Sequence, residues 1–225
     1  MNVPRIITID GPAGAGKSTL GELLANRLGF LYFDTGVMYR ALTYAAFTQQ
    51  VDQDDEAALS QLAEQIAIVV APPDVDDGRQ YTVRIDGKDA TWAIRRPEVE
   101  ARVSAVARHP AVRQVMRQRQ REVGEAGQVV MVGRDIGSIV MPDAPLKVFL
   151  VASLDERARR RTAELNARDK AADQTRIRAD VERRDQLDQH VMQPAPDALI
   201  IDCDPLTPEQ EVELILEHIR TMPGR

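Results

Sequence analysis

A glycine-rich stretch near the N-terminus contains the residue types that bind phosphate groups. It fits the pattern Gly-x-x-x-x-Gly-Lys-Ser and consists of Gly11, Pro12, Ala13, Gly14, Ala15, Gly16, Lys17, Ser18 and Thr19. Glycines let the backbone turn until several N–H groups point at one anion, and a helix that starts here adds its own free N–H groups. A lysine in this position reaches the β- and γ-phosphates of a nucleotide, and the serine hydroxyl can ligate Mg²⁺. The stretch therefore predicts an ATP-binding loop with a catalytic Lys17 and a metal contact at Ser18.

Two further groups of polar residues follow apolar runs. Thr35 and Arg40 come after the apolar run 30–33, and Arg134 comes after the run 129–132. Arginine can grip a phosphate through two parallel hydrogen bonds, so Arg40 and Arg134 suit a clamp on a second phosphate. Thr35 is expected to bond that phosphate or the backbone near it. Ordinary salt bridges are the alternative interpretation of both arginines.

The elements that must position these residues alternate along the chain. Five strand-like apolar runs are separated by helix-like segments, which predicts an α/β fold with a five-stranded parallel sheet flanked by helices. The predicted strands cover residues 6–10, 30–33, 129–132, 146–151 and 199–202. Ligands of such sheets bind at the carboxyl ends of the strands. We therefore expect the three polar groups to converge on one cleft.

One segment interrupts this alternation. Tyr81–Ile85 alternates like a half-buried strand, and Asp86-Gly87 is a hairpin turn signal. We predict a single domain over residues 1–225 with a core of about 1–67 and 97–225. A small β-containing insert covers about 68–96, and two charged helices over about 153–190 form a separate helical segment.

Composition narrows the possible partners and locations. The chain has 225 residues, a net charge of −6 and a single cysteine, Cys203. The negative charge argues against a nucleic-acid-binding surface, and the N-terminus carries no signal-peptide pattern. No apolar run approaches the 18 residues of a membrane span. His109, His190 and His218 fall on separate elements and suggest no metal cluster. We expect a cytoplasmic protein that binds neither nucleic acid nor membrane.

These motifs, taken in order, resemble the bacterial cytidylate kinases (CMP kinases) over nearly the whole chain. The stretch Gly-Arg-Asp-x-Gly followed by Pro-Asp-Ala is the most distinctive match. The matching segments are Ile7–Thr19, Asp34–Arg40, Val132–Ala144, Lys147–Ser153, Glu156–Arg161 and Arg184–Asp188. The resemblance implies a P-loop kinase fold in which the insert binds the nucleoside monophosphate and the charged helices form a lid. It also implies transfer from ATP, with Mg²⁺, to CMP or dCMP, and we expect a monomer.

The resemblance also assigns residue roles. The catalytic residues it implies are Lys17, Arg40, Arg134, Arg157 and Arg160. The CMP-binding residues it implies are Thr35, Arg40, Ser104, Arg113, Arg134, Asp135, Arg184 and Asp188. In this assignment the Asp135 carboxylate accepts a hydrogen bond from the cytosine amino group. A solvated charged face is the alternative for the lid helix, and an i,i+4 ion pair is the alternative for Arg184 with Asp188.

The chain departs from the family pattern at three positions. Ala13 stands where a hydroxyl residue is usual, and Ser18 stands where glycine is usual; neither change puts phosphate binding in doubt. Val191 stands where the family carries an arginine that helps to hold the acceptor phosphate, and the following run is shorter. Losing one charge-assisted hydrogen bond costs about 1.5–3 kcal/mol, so we expect a raised KM for CMP.

Two alternatives to a CMP kinase remain. A kinase for another acceptor, such as UMP, AMP or shikimate, is one alternative, and a nucleotide-binding module without catalysis is another. Retention of Lys17, Arg40, Arg134 and Asp135 favours catalysis.

Asp10, at the end of the first predicted strand, can either hold a water molecule of Mg²⁺ or bond loop backbone.

Overall fold

The computed structural model describes residues 3–166, 173–188 and 192–222, without the side chains of residues 164, 184, 187 and 188. Val191, the position at which the family carries an arginine, lies outside the described residues. The chain divides into two compact units. The first unit consists of Met1–Phe30 with Val130–Arg225, and the second unit is Leu31–Val129.

The described ranges contain eight strands and eight α-helices. The strands are β1 (Ile6–Asp10), β2 (Leu31–Asp34), β3 (Ile68–Ala71), β4 (Thr82–Ile85), β5 (Lys88–Asp89), β6 (Val129–Val132), β7 (Leu146–Val151) and β8 (Leu199–Asp202). The helices are α1 (Lys17–Leu28), α2 (Gly36–Thr48), α3 (Glu56–Gln65), α4 (Pro97–Ala107), α5 (Pro110–Ala126), α6 (Leu154–Asn166), α7 (Gln174–Asp188) and α8 (Pro208–Thr221).

Five strands form one parallel sheet in the order β2-β6-β1-β7-β8, which confirms the predicted α/β class. β1 pairs in parallel with β7 and places Asp10 beside Phe149, and β7 pairs in parallel with β8. A parallel sheet covered on both faces needs strands that are apolar throughout. β6 is buried at all four positions, and β7 is buried at every position except its last.

Helices α1 and α8 pack together in the first unit. Leu20 and Leu24 of α1 are fully buried, as is Ile215 of α8. Burying an aliphatic side chain of this size contributes about 1.5–3 kcal/mol. Thr207 and Gln210 form a reciprocal capping box that fixes the start of α8. The helix begins at Pro208, directly after this cap.

The second unit contains the small antiparallel sheet β3-β4-β5. Asp86 and Gly87 join β4 to β5 with φ angles of 50° and 78°, the left-handed values of a tight hairpin. The Arg79 guanidinium is only 5% exposed and bonds Asp77 and Asp89 at 2.7–2.8 Å. The strands fall within the predicted insert 68–96. The exact domain boundaries stay a prediction.

Candidate active site

The phosphate-binding loop lies between β1 and α1 and requires glycine at two positions. Gly11 has φ +145°, and a Cβ there would lie 2.6 Å from the Leu150 carbonyl oxygen of the neighbouring strand. Gly16 has φ +96° and caps the first turn of α1. A side chain would be strained at either residue. The predicted strand, loop and helix are therefore all present, and the loop geometry depends on glycine.

Lys17 folds over the loop that it belongs to. Its Nζ donates hydrogen bonds to the carbonyl oxygens of Gly11 and Pro12, at 2.8 Å and 2.7 Å. Ser18 and Thr19 follow in the first turn of α1 and are exposed. The ammonium group thus lies over the loop carbonyl oxygens, and the Ser18 side chain is exposed at the start of the helix.

Asp10 is the last residue of β1 and is 5% exposed. Its two carboxylate oxygens accept hydrogen bonds from the backbone N–H groups of Ile136 and Gly137, at 2.9 Å and 2.7 Å. Burial raises the pKa of Asp10 from 3.8 to about 6, the two N–H donors oppose that rise, and the charge of Asp135 adds to it. The Asp10 carboxylate thus bonds backbone N–H groups of the turn after β6, and not those of the phosphate-binding loop.

This raised pKa predicts how stability depends on pH. The Asp10 carboxyl binds its proton more tightly in the folded state than in the unfolded state. Its contribution to the free energy of unfolding is therefore complete below pH 3.8 and is lost as the pH rises through about 6. When the pH is raised from 4.5 to 7.5, we expect the free energy of unfolding of the wild type to fall by about 2 kcal/mol relative to that of Asp10→Asn. Urea unfolding of both proteins at the two pH values measures this difference. An identical difference at both values would contradict the prediction.

Arg134 and Asp135 lie in the turn between β6 and a five-residue π-helix, Ile136–Val140. Both side chains are half-buried. The Gly133 N–H donates to the Ile9 carbonyl oxygen at 3.1 Å, so the turn is attached to β1 before these two residues as well as after them. The sequence did not predict the π-helix, which has no local signature comparable to a helix cap.

Arg157 of α6 is held against the phosphate-binding loop. Its guanidinium donates to the Ala13 carbonyl oxygen at 3.1 Å and makes two hydrogen bonds, of 2.9 Å and 2.6 Å, to the Asp185 carboxylate of α7. The Arg157 side chain is 7% exposed and that of Asp185 is 27% exposed. The ion pair thus joins the loop to both helices of the predicted lid segment.

Removing one partner of this pair should destabilise the protein strongly. Arg157→Ala leaves the Asp185 carboxylate without its buried cation, which costs about 3 kcal/mol and lowers the melting temperature by roughly 6–12 °C. The double variant Arg157→Met with Asp185→Leu should recover most of this loss, because no charge is left unpaired. Calorimetry of both variants measures the two shifts. Equal melting temperatures for them would contradict this account.

Arg160 makes the second contact between α6 and the loop. It donates to the Ala15 carbonyl oxygen at 3.3 Å, to the Cys203 carbonyl oxygen at 2.5 Å and to Glu156 at 2.7 Å. The Glu211 carboxylate lies 4.0 Å from its guanidinium and is 1% exposed. Burial raises the pKa of Glu211. Two predicted catalytic arginines therefore contact carbonyl oxygens of the phosphate-binding loop.

The second unit contains the other predicted phosphate clamp. Arg40, on α2, lies 3.1 Å from Glu100 and 3.5 Å from Asp34, with its side chain 29% exposed. Burial alone would lower the pKa of Arg40, but the carboxylates of Asp34 and Glu100 outweigh burial and raise it. Thr35 precedes α2 and is buried, and its carbonyl oxygen accepts from Gln120 at 3.3 Å. The clamp is thus positioned by acidic partners.

The remaining predicted acceptor residues lie on helices. Ser104 is exposed on α4, one turn after the Glu100 that bonds Arg40, and Arg113 is half-buried on α5. The side chains of Arg184 and Asp188 on α7 lie outside the described residues. Their predicted role in sugar binding stays a prediction.

Sequence reasoning missed the acidic residues that position the arginines. Only one carried a usable signal, the i,i+4 spacing of Glu156 with Arg160. The others lie at no helix-face spacing: Asp34 precedes Arg40 by six residues, and the rest are at least 28 residues from the arginines they contact. The acidic residues without a usable signal are Asp34, Glu100, Asp185 and Glu211.

None of the helices in the described ranges is long and apolar enough to cross a bilayer. Within those same ranges, His, Cys, Asp and Glu side chains form no group of three that could hold a metal ion.

The chain is similar to cytidylate kinases over almost its whole length. The family model described as "Cytidylate kinase" matches residues 7–221. The cytidylate kinase of Roseiflexus castenholzii is 61% identical over 97% of this chain and 95% of its own length, and that of Chloroflexus aggregans is 59% identical over the same shares. The structure of shikimate kinase from Acinetobacter baumannii in complex with shikimate aligns with a TM-score of 0.51 at 13% identity. It covers 98% of this chain and 94% of that one, and shows a shared fold.

Proposed function

This chain belongs to the cytidylate kinase family, and on that premise we propose that it transfers the γ-phosphoryl group of ATP to CMP, giving ADP and CDP. The protein is a nucleoside monophosphate kinase. We propose dCMP as a second acceptor, giving dCDP, and a monomer in the cytoplasm. The alternatives of another acceptor or of a module without catalysis are not favoured, because the family match covers nearly the whole chain.

The observation that carries the proposal is the set of cations around the phosphate-binding loop. Lys17, Arg157 and Arg160 each donate to carbonyl oxygens of residues 11–15. Phosphoryl transfer depends mainly on positioning and on stabilising charge at the transferred group. In the proposed mechanism, these cations exchange carbonyl partners for the β- and γ-phosphates of ATP.

The acceptor nucleotide needs residues that bind its phosphate and residues that recognise its base. A nucleoside monophosphate is a dianion, and its approach to ATP requires that both be neutralised. We assign Arg40 and Arg134 to the acceptor phosphate, with Thr35 beside it, and Asp135 to the amino group of cytosine. Ser104 and Arg113 are assigned to the base, and Arg184 and Asp188 to the sugar.

The donor set at the loop fits Mg²⁺. The exposed Ser18 hydroxyl, together with phosphate oxygens of ATP, supplies the hard oxygen ligands that Mg²⁺ prefers. A metal ion held by Ser18 and the ATP phosphates would supply positive charge that neutralises the phosphates. We assign the protein's direct contact with the metal to the Ser18 hydroxyl.

A coupled ADP-release assay with Mg·ATP tests the proposal. The panel of acceptors is CMP, dCMP, UMP and AMP. We expect fast release with CMP and dCMP and slow release with UMP and AMP. Fast release with UMP or AMP alone would keep the kinase and overturn the acceptor. Tight ATP binding without release for any acceptor would support a module without catalysis.

A further inference from the structure

We propose that Asp10 is a positioning residue for acceptor recognition, acting through the backbone of the turn that carries Arg134 and Asp135. The inference rests on the proposed function, since it concerns the acceptor side of the same reaction. Asp10 directly precedes Gly11 of the phosphate-binding loop. The main chain of β1 thus leads directly into the ATP-binding loop, whereas the Asp10 side chain holds only the acceptor-binding turn.

Three hydrogen bonds fasten this turn to β1. The Gly133 N–H donates to the Ile9 carbonyl oxygen at 3.1 Å, and the Ile136 and Gly137 N–H groups donate to the Asp10 carboxylate at 2.9 Å and 2.7 Å. Arg134 and Asp135 are the two residues between these attachments. Their backbone is fixed on both sides, which limits how far either side chain can shift from a bound nucleotide.

The turn packs so closely against β1 that there is no room for a side chain at Gly137. A Cβ there would lie 2.7 Å from Thr8 Oγ1 and 3.3 Å from Asp10 Oδ2. Thr8 and Asp10 are two residues apart on β1 and so face the same side of the sheet. The glycine therefore lets the turn approach closely enough for both carboxylate oxygens to be used.

Only a carboxylate satisfies both N–H groups. An ionised carboxylate accepts on two oxygens, whereas an amide offers one acceptor and one donor group. In Asp10→Asn, one of the two buried N–H groups would face an NH₂ group and lose its partner. The charged groups that act on Asp10 are Asp135 and Lys17, and the amide also removes the negative charge that lies beside Asp135.

Asp10→Asn, compared with Thr8→Val, separates positioning from general damage to β1. Thr8 is fully buried on the same strand, and its Oγ1 has no hydrogen-bond partner among the described residues. Removing that hydroxyl breaks no hydrogen bond, so Thr8→Val should behave like the wild type. Both proteins are assayed for KM with CMP, for the CMP-to-UMP ratio of kcat/KM, and for binding of a fluorescent ATP analogue alone.

For Asp10→Asn we expect KM for CMP to rise at least 10-fold and the CMP-to-UMP ratio to fall about 10-fold. The dissociation constant of the ATP analogue should change less than 2-fold. Backbone amide exchange should speed up in residues 133–140 and stay unchanged in residues 11–19. The proposal would be overturned by equal fold-increases in the dissociation constant of the ATP analogue and in KM for CMP. An unchanged CMP-to-UMP ratio of kcat/KM, or unchanged amide exchange in residues 133–140, would also overturn it.

Two provisions keep the test decisive. If Asp10→Asn does not fold, Gly137→Ala displaces the same turn while the carboxylate remains, and the same set of changes is expected. If the wild type prefers another acceptor, the proposed function fails on its own. The Asp10 comparison is then made with that acceptor and with amide exchange, which needs no activity.

Discussion

Lys17→Met should lower kcat by about 10³-fold, the largest single effect that we expect from any side chain of the protein. The ammonium group lies over the phosphate-binding loop, with its Nζ 2.8 Å and 2.7 Å from the Gly11 and Pro12 carbonyl oxygens. In the proposed reaction it stabilises charge that develops on the transferred phosphoryl group. Methionine keeps most of the side-chain volume and removes the charge. Single-turnover measurement of ADP formation isolates the chemical step.

The matched control for this variant is Lys88→Met. Lys88 is exposed on β5, so its loss changes the net charge equally without affecting the loop. We expect wild-type kcat and an unchanged melting temperature for the control. Retention of more than about a tenth of the activity by Lys17→Met would rule out the assigned role, because removing one such donor typically costs 10²–10³-fold.

Arg40→Met should raise KM for CMP by about 100-fold and leave KM for ATP unchanged. A bidentate arginine–phosphate contact comprises two charge-assisted hydrogen bonds, and a 100-fold change corresponds to about 2.7 kcal/mol. Arg40→Lys keeps the charge but loses the planar fork, so an intermediate rise of roughly 10-fold is expected. Steady-state kinetics with each substrate varied in turn separates the two KM values.

Arg102→Met provides the comparison for the Arg40 variants. Arg102 is an arginine of the same unit whose guanidinium donates to the Glu98 carbonyl oxygen at 2.7 Å and lies 4.8 Å from the Phe47 ring centroid. It is not assigned to substrate binding, so both KM values should stay at the wild-type level. Parallel increases in KM for ATP and CMP in Arg40→Met would indicate a general structural defect and contradict the clamp.

Elements whose signals are local in sequence could be predicted from the sequence. The phosphate-binding loop follows from glycine spacing and the hairpin follows from Asp86-Gly87, and the Thr207 cap of α8 is a local signal of the same kind. In each case neighbouring residues determine the conformation through backbone sterics or a capping hydrogen bond. The five-stranded sheet was predictable for a related reason, since its buried strands are continuous apolar runs.

The partners of the site arginines could not be predicted, because they are set by tertiary contact. Asp185 is 28 residues from Arg157, and Glu100 is 60 residues from Arg40. The chain has 35 acidic residues, and nothing in their spacing identifies these two. The bonding of Asp10 to the turn after β6 spans 126 residues and has the same origin. Roles that depend on ligand contact, such as those of Ser104 and Arg113, stay predictions.

The condition of Cys203 makes the protein convenient for site-specific labelling. The thiol is fully buried, its Sγ donates to the Ile201 carbonyl oxygen at 3.7 Å, and burial raises its pKa to about 12. At neutral pH the reactive thiolate fraction is then on the order of one in 10⁵, so maleimide reagents should leave this residue unmodified. Because the sequence contains no other cysteine, a pair introduced on the surface would carry fluorophores selectively in the native background. Distances within the enzyme could then be followed during turnover.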